Sequence, residues 1–304
     1  MTTPQPLFDL DVDAPDPYDK QFWSVTTILK VLASPALEYW AIKETATAAV
    51  DSDATIKAML DDQGRDETIK WMCGARWRKP KIALSAADLG TIVHRLCEMT
   101  ALDENAKIPT DEEITQLVRS HAAKTVNIPA EVALVKQMLG HFLRWCDRFQ
   151  PEYTAAEAAV YSEKYGYAGC LDAILTIGGQ KLITDYKTRR EPLTSRGGPQ
   201  RPYAETALQL SAYRHADMVA VWRARRTEIY KRRYYLLSPD ERQVAEPVPA
   251  DIDSGLCIII TPESCEAYPM LCDEQVFDHF LYVLESFRWE DDLSRRVVGD
   301  ALEV

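Results

Sequence analysis

Apolar residues in the first half of the chain recur at the three- and four-residue spacing that is typical of amphipathic helices. This pattern predicts helical segments near residues 24–50, 54–71, 85–101, 111–124 and 129–149. The third segment opens on Ser85-Ala86-Ala87-Asp88, which has the form of a capping box. Residues 1–19 are instead rich in Asp and Pro, a composition that predicts a flexible leader.

From about residue 151 the spacing changes to the period of two that indicates β-strands. We predict a strand near 154–162, a hairpin around Gly178-Gly179, and strands near 229–236, 256–261 and 265–269. A Gly/Pro-rich loop at 192–202 leads to a helix near 203–222, and a last helix lies near 273–290. The sequence therefore predicts an α/β (mixed α+β) fold, in which a helical region at 20–150 and a mixed-sheet core at 151–304 form one compact domain.

Composition narrows the class of protein. The chain has 304 residues, of which 46% are hydrophobic, so it can bury a large core. No apolar run approaches the ~18 residues of a membrane span, and the N-terminus lacks the basic and apolar stretches of a signal peptide. We expect an intracellular protein without a membrane partner.

Charge is distributed unevenly along the chain. The net charge is −12, which argues against a protein that coats polyanions along their length. Residues 185–233, however, contain twelve Lys or Arg against five Asp or Glu. Such a segment is typical of a protein that contacts phosphates at one site. A solvated helix face followed by a basic edge strand is the other interpretation, and both stay open.

The predicted hairpin has unusual electrostatics. Gly178-Gly179 supplies the positive φ angles of a two-residue turn. Counting outward from that turn places Asp172 opposite Asp185, with their Cβ atoms about 4.5–5.5 Å apart. Lys187 points to the same face as Asp185, because side chains alternate along a strand. Facing carboxylates destabilise a sheet, so a bridging divalent cation is the simplest explanation.

These three residues have the chemistry of a hydrolytic metal site. Mg²⁺ prefers carboxylate oxygens, and a metal-bound water is far more acidic than bulk water. Lys187 can orient or deprotonate that water, or offset charge on a phosphate. The structural alternative is a surface hairpin whose Asp–Lys pair is worth less than ~1 kcal/mol.

Other polar residues have the spacing to join such a site. His94 lies in a predicted helix, with Glu98 one turn later on the same side. An imidazole ligand suits Mn²⁺ as well as Mg²⁺. Gln209 and Tyr213 share one face of a later helix, where they can orient a phosphate and stack on a base. Glu157, on the strand before the hairpin, is either a supporting acid, a ligand to a second metal, or an exposed strand residue.

The order of these motifs resembles a known family. Gly90-x-x-x-His94, Gly169-x-x-Asp172, Asp185-Tyr186-Lys187-Thr188 and Gln209-x-x-x-Tyr213 together resemble the RecB-like nucleases of the PD-(D/E)xK superfamily, above all phage and CRISPR-associated exonucleases. The resemblance implies a restriction-endonuclease-like core, a central mixed sheet flanked by helices. It also implies that His94, Asp172 and Asp185 bind the metal and that Lys187 is the catalytic lysine. Gln209, Tyr213, Glu98, Glu157, Arg189 and Arg190 would support the site or bind DNA.

Many members of that family also hold an iron–sulfur cluster on four cysteines. The corresponding residues would be Cys73, Cys257, Cys265 and Cys272. Cys257 lies inside an apolar strand pattern, and the chain has no Cys-x-x-Cys pair, so the sequence argues against a cluster.

The resemblance implies Mg²⁺- or Mn²⁺-dependent hydrolysis of DNA, most simply by an exonuclease that acts on single strands or ends in recombination, repair or phage replication. A recombination or replication protein is then the expected partner, in the cytoplasm of a bacterium or of a phage-infected host cell, and the oligomeric state stays open. The alternatives are an endonuclease or nickase of the same fold and a catalytically silent DNA-binding module.

Overall fold

The structure is a computed structural model, which describes residues 22–32, 35–74, 82–102, 108–194, 197–220, 234–235 and 245–299. The predicted leader at 1–19 and nearly all of the strand predicted at 229–236 lie outside the described residues.

The N-terminal helical segments are shorter than predicted. The described part of the chain begins with strand β1 (Phe22–Ser24). The helices that follow it are α1 (Val25–Ile28), α2 (Pro35–Val50), α3 (Asp53–Asp62) and α4 (Gly64–Cys73). Within the helical segments predicted at 24–50, α1 ends at Ile28 and α2 begins at Pro35, whose fixed φ suits the first position of a helix. The segment predicted at 54–71 divides at Gly64, whose φ of +80° interrupts a right-handed helix.

Three longer helices cover one face of the sheet. They are α5 (Ala86–Leu102), α6 (Asp111–His121) and α7 (Ile128–Phe149), within a residue or three of the predicted bounds. The predicted cap at Ser85 is present, since the backbone N–H of Asp88 donates to Ser85 Oγ at 3.1 Å. Leu89, Leu96 and Phe142 are buried in the core between these helices and the sheet.

The described part of the sheet has nine strands. After β1 they are β2 (Glu152–Ser162), β3 (Tyr167–Ile177), β4 (Gln180–Thr188), β5 (Met218–Ala220), β6 (Tyr234–Tyr235), β7 (Ala245–Pro247), β8 (Ser254–Ile260) and β9 (Cys265–Met270). The main order is β7-β5-β2-β3-β4-β8-β9, and β1 pairs with β3 and β6. The pairs β4–β8 and β1–β3 are parallel and the others antiparallel. The predicted fold class, a mixed sheet flanked by helices, is confirmed.

Helices α8 (Glu205–Arg214) and α9 (Glu274–Asp291) pack with α1 on the opposite face. Ile28, Tyr167, Leu210 and Phe280 belong to this second core. The two cores enclose β3 and β4, the strands of the hairpin. Among the described residues, no helix is both long and apolar enough to cross a membrane.

The helix predicted at 203–222 ends at Arg214, so that prediction is wrong for the residues that follow. Asp217 ties the chain to the end of β2, because its backbone N–H donates to Tyr161 O at 3.0 Å and its carboxylate accepts from Ser162 Oγ at 3.0 Å. These contacts redirect the chain into β5, which pairs with β2. Residues 221–222 lie outside the described residues.

Candidate active site

The hairpin that carries the two acids has the predicted register. Gly178 and Gly179 have φ angles of +57° and +83°, as a two-residue turn with positive φ at both positions requires. The ladder pairs residues outward from Ile177↔Gln180 to Ala173↔Thr184. The ladder ends there, and just beyond it Asp172 accepts a hydrogen bond from the backbone N–H of Tyr186, the residue after Asp185.

Helix α5 brings His94 to this hairpin. Its Nδ1 lies 3.2 Å from Oδ1 of Asp172, and its ring packs edge-on against Tyr186 with centroids 5.8 Å apart. Gly90, one turn earlier, lets α5 approach β4, since a Cβ there would lie 3.3 Å from Thr188 Oγ1. The close packing of α5 on β4 thus fixes the imidazole beside the carboxylate.

Helix α8 approaches the other acid. Asp185 Oδ1 accepts from Lys187 Nζ and from Gln209 Nε2, each at 2.9 Å. Gln209 also contacts Tyr213 OH at 3.2 Å. A Cβ on Gly169 would lie 2.5 Å from Cε1 of Tyr213, so this tyrosine occupies the space that only glycine leaves open. The Gln-x-x-x-Tyr spacing therefore positions the acid and the lysine.

Glu157 completes a group of ligand atoms. Its carboxylate, the imidazole of His94 and the carboxylate of Asp172 each offer an atom within 4.8 Å of the others. Glu157 has a φ of +48°, the left-handed region that a non-glycine residue enters at a cost of order 1–3 kcal/mol. It is half-buried, which does not fit an exposed strand residue.

The donors present fit a hard divalent cation. Carboxylate oxygens with one imidazole are ligands that Mg²⁺ and Mn²⁺ accept. Asp185 Oδ2 is buried without a hydrogen bond among the described residues. It lies 2.7 Å from Lys187 Nζ, but the ammonium directs its hydrogen bond to Oδ1. An unsatisfied buried oxygen of this kind is the group that a metal ion would complete.

The two carboxyl groups have opposite pKa shifts. Burial raises the pKa of Asp172, but the charge and hydrogen bond of His94 outweigh it, so the net shift is downward. Burial also raises the pKa of Asp185, and the neighbouring Asp172 adds to this, so its pKa stays raised in spite of Lys187. Asp172 is thus the more readily ionised acid of the pair.

The pKa values of the two bases of the site are both raised above their ordinary values. Burial lowers the pKa of His94, but the charge of Asp172 and the hydrogen bond to it give a net rise. Burial likewise opposes the charge on Lys187, and the ion pair with Asp185 outweighs it, which leaves the pKa raised. A metal cation would compete directly with the proton on His94.

Other predicted residues are occupied by structural contacts. Glu98 pairs with Arg95. Arg190 donates to Glu131 at 2.7 Å and to Leu84 O at 3.2 Å, which ties the end of β4 to α7. Arg189 lies against the ring of Tyr203.

The four cysteines considered as ligands of an iron–sulfur cluster differ in their exposure to solvent. Cys257 and Cys272 are buried, Cys265 is half-buried and Cys73 is exposed. Within the part of the chain that the structure describes, His94, Glu157 and Asp172 form the one group of three or more residues able to hold a metal.

Sequence reasoning missed one contact of the site and one structural ion pair at the end of β4. Tyr186 donates its backbone N–H to Asp172 and packs on His94, although side-chain alternation turns its ring to the opposite face from Lys187. Glu131 is buried and pairs with Arg190 across 59 residues of sequence. Tyr186 could have been found because it stands between Asp185 and Lys187 in the sequence. No local sequence pattern marks Glu131.

Comparison with known proteins gives one informative match. The model of the PD-(D/E)XK nuclease superfamily matches residues 69–300, a span that includes every site residue described above. No match to a curated protein was found. A solved structure titled "Crystal structure of SSO0001" is similar over 70% of this chain and 79% of its own, with 14% identity and a TM-score of 0.27. A TM-score this low supports no argument about fold or function.

Proposed function

The chain belongs to the PD-(D/E)XK nuclease superfamily, and from that premise we propose that it is a RecB-like, Mg²⁺- or Mn²⁺-dependent exonuclease that hydrolyses phosphodiester bonds of DNA in recombination, repair or phage replication. Its protein partner would be a recombination or replication protein.

One observation supports hydrolysis more than any other. His94 lies 3.2 Å from Asp172, and Lys187 lies 2.7 Å from Asp185, whose Oδ2 is buried without a hydrogen bond among the described residues. Facing acids are costly in a sheet unless a cation balances them. A silent DNA-binding module would not need this set.

His94, Asp172 and Asp185 would hold the ion, with Glu157 as a further ligand. When bound, the ion supplies a Lewis acid for the phosphate and lowers the pKa of water. Lys187 is protonated in its ion pair with Asp185, so its ammonium can stabilise negative charge on the phosphate. Gln209 restrains both groups, because it donates to Asp185 and accepts from Lys187 Nζ at 3.5 Å.

Action at DNA ends is proposed from the resemblance to RecB-like exonucleases and from charge. The net charge of −12 repels the DNA backbone as a whole. Binding to one strand through a local group of basic residues is therefore more favourable than binding along a duplex. Endonucleolytic cleavage by the same groups is the second candidate.

Hydrolysis of linear and covalently closed circular DNA tests the proposal. The purified chain with Mg²⁺ or Mn²⁺ should degrade the linear DNA alone, and EDTA should stop the reaction. Asp185→Ala should abolish hydrolysis, whereas Asp251→Ala should not, since Asp251 is exposed and pairs with Lys181. Cleavage of the circle would favour an endonuclease, and equal activity in Asp185→Ala would refute the site.

A further inference from the structure

An arginine and a tyrosine lie together where β4 ends and α8 begins. Arg189 directly follows β4, and its Cζ lies 5.4 Å from the centre of the Tyr203 ring. Tyr203 precedes α8 by two residues. We propose that Tyr203, with Arg189 behind it, stacks on an unpaired base of single-stranded DNA close to the scissile phosphate. The inference rests on the proposed function and names the substrate class of the same site.

The two residues of the pair lie next to the elements that carry the catalytic groups. Arg189 follows β4 directly and is two positions after Lys187, about 7 Å along an extended chain. Tyr203 lies two positions before α8, the helix that carries Gln209. A base that stacks on the ring would therefore belong to the strand whose phosphate is bound at Lys187.

Backbone and side-chain contacts hold the pair in place. The backbone N–H of Arg189 donates to Ile260 O at 3.0 Å, and its guanidinium donates to Thr188 O at 3.0 Å. Tyr203 O accepts from the backbone N–H of Thr206 at 3.1 Å. Within the loop between them, Gln200 donates to two backbone carbonyls at 3.0 Å. A ring that is ordered before it binds loses little entropy on stacking.

The exposure of Tyr203 is what a stacking platform requires. Its side chain is 55% exposed although Arg189 covers part of it. An aromatic ring stacks on any base whose face is free, but bases inside a duplex are covered by their neighbours. The guanidinium behind the ring adds positive charge beside the phosphate backbone. A single strand or a frayed end is therefore the DNA that this pair recognises.

Binding measured without hydrolysis tests the inference. Fluorescence anisotropy in EDTA would compare a labelled single-stranded oligonucleotide with the same oligonucleotide in a blunt duplex. Tyr203→Ala should weaken single-strand binding by about tenfold, within the range known for loss of one stacked base. Tyr203→Phe should bind as the wild type does, because the ring remains. Tyr282→Ala is the matched control, since Tyr282 is 69% exposed on α9.

The outcomes separate this inference from the proposed function. A selective loss of single-strand affinity in Tyr203→Ala supports stacking, even if no DNA is hydrolysed with Mg²⁺ or Mn²⁺. Unchanged affinity in Tyr203→Ala, an equal loss on duplex, an equal loss in Tyr282→Ala, or no wild-type binding to the single strand would each overturn it. If the wild type degrades DNA while Tyr203→Ala binds normally, the nuclease proposal stands and stacking fails.

Discussion

Gly169 lies against the ring of Tyr213 so closely that a Cβ at position 169 would be 2.5 Å from Cε1 and 2.8 Å from the hydroxyl oxygen. The positions of Gln209 and Asp185 depend on this contact. Gln209 donates a hydrogen bond to Tyr213 OH and another to Asp185. A glycine in β3 thus determines how close α8 comes to the acid of β4.

We therefore expect Gly169→Ala to displace Tyr213. The new methyl group should destabilise the fold by about 1–3 kcal/mol, as overpacking of a buried site does, and should lower hydrolysis through misplacement of Gln209. Chemical denaturation and initial rates measure the two effects. In the double variant with Tyr213→Ala the clash is relieved, so the free-energy losses should be less than additive. Strict additivity would mean that the two residues are not coupled.

Lys187→Ala should separate metal binding from hydrolysis. Lys187 is not a proposed ligand, and its ammonium acts on the phosphate or on the attacking water. Hydrolysis should fall by about 10²- to 10³-fold, the usual cost of removing one donor that stabilises charge in the transition state. Mn²⁺ binding, measured by calorimetry, should persist. Lys181→Ala is the control, since Lys181 pairs with Asp251 outside the site. Equal rates in the two variants would remove Lys187 from the mechanism.

Metal binding should depend on pH through His94. Burial lowers the pKa of this imidazole, but the negative charge of Asp172 raises it by more. The pKa therefore lies above its ordinary value of about 6.5. Protonated imidazole cannot bind a metal, and the apparent affinity for Mn²⁺ should therefore rise with pH up to the raised pKa and then level off. Calorimetric titrations between about pH 6 and 8 would show this. His94→Ala should bind weakly and lose most of the dependence over that interval; a retained slope would assign it to another group.

The ion pair between Arg190 and Glu131 should matter for stability more than for chemistry. Glu131 is buried and Arg190 is one-third exposed. Glu131→Gln leaves the guanidinium without its counter-charge, so we expect a loss of about 2–3 kcal/mol, below the range for a fully buried pair. Urea denaturation measures it, with the exposed Glu112→Gln as control. Equal midpoints in these two variants would contradict a structural role for the pair.

The hairpin was predictable because its register depends on local features alone. Gly178-Gly179 determines the turn, and alternation then places Asp172, Asp185 and Lys187. His94 could be placed on a helix, but its distance to Asp172 depends on how α5 packs on β4. Only the family resemblance predicted that His94 and Asp172 belong to one site.

Long-range contacts explain what the sequence could not predict. The end of α8 depends on Asp217, whose partners lie some 55 residues earlier at the end of β2. Short strands such as β5 and β7 contain three residues each, too few to show a period of two. The left-handed backbone of Glu157 leaves no mark in the residues around it. The end of α8, the short strands and the backbone of Glu157 all depend on contacts between residues that are distant in the sequence.

The most direct test of the central claim is a crystal structure of the protein soaked in Mn²⁺, with anomalous scattering used to locate the ion. We expect density in contact with Asp172 and bounded by His94, Asp185 and Glu157. Density elsewhere on the molecule, with none at Asp172 and Asp185, would contradict the assignment of this hairpin as a metal-dependent nuclease site.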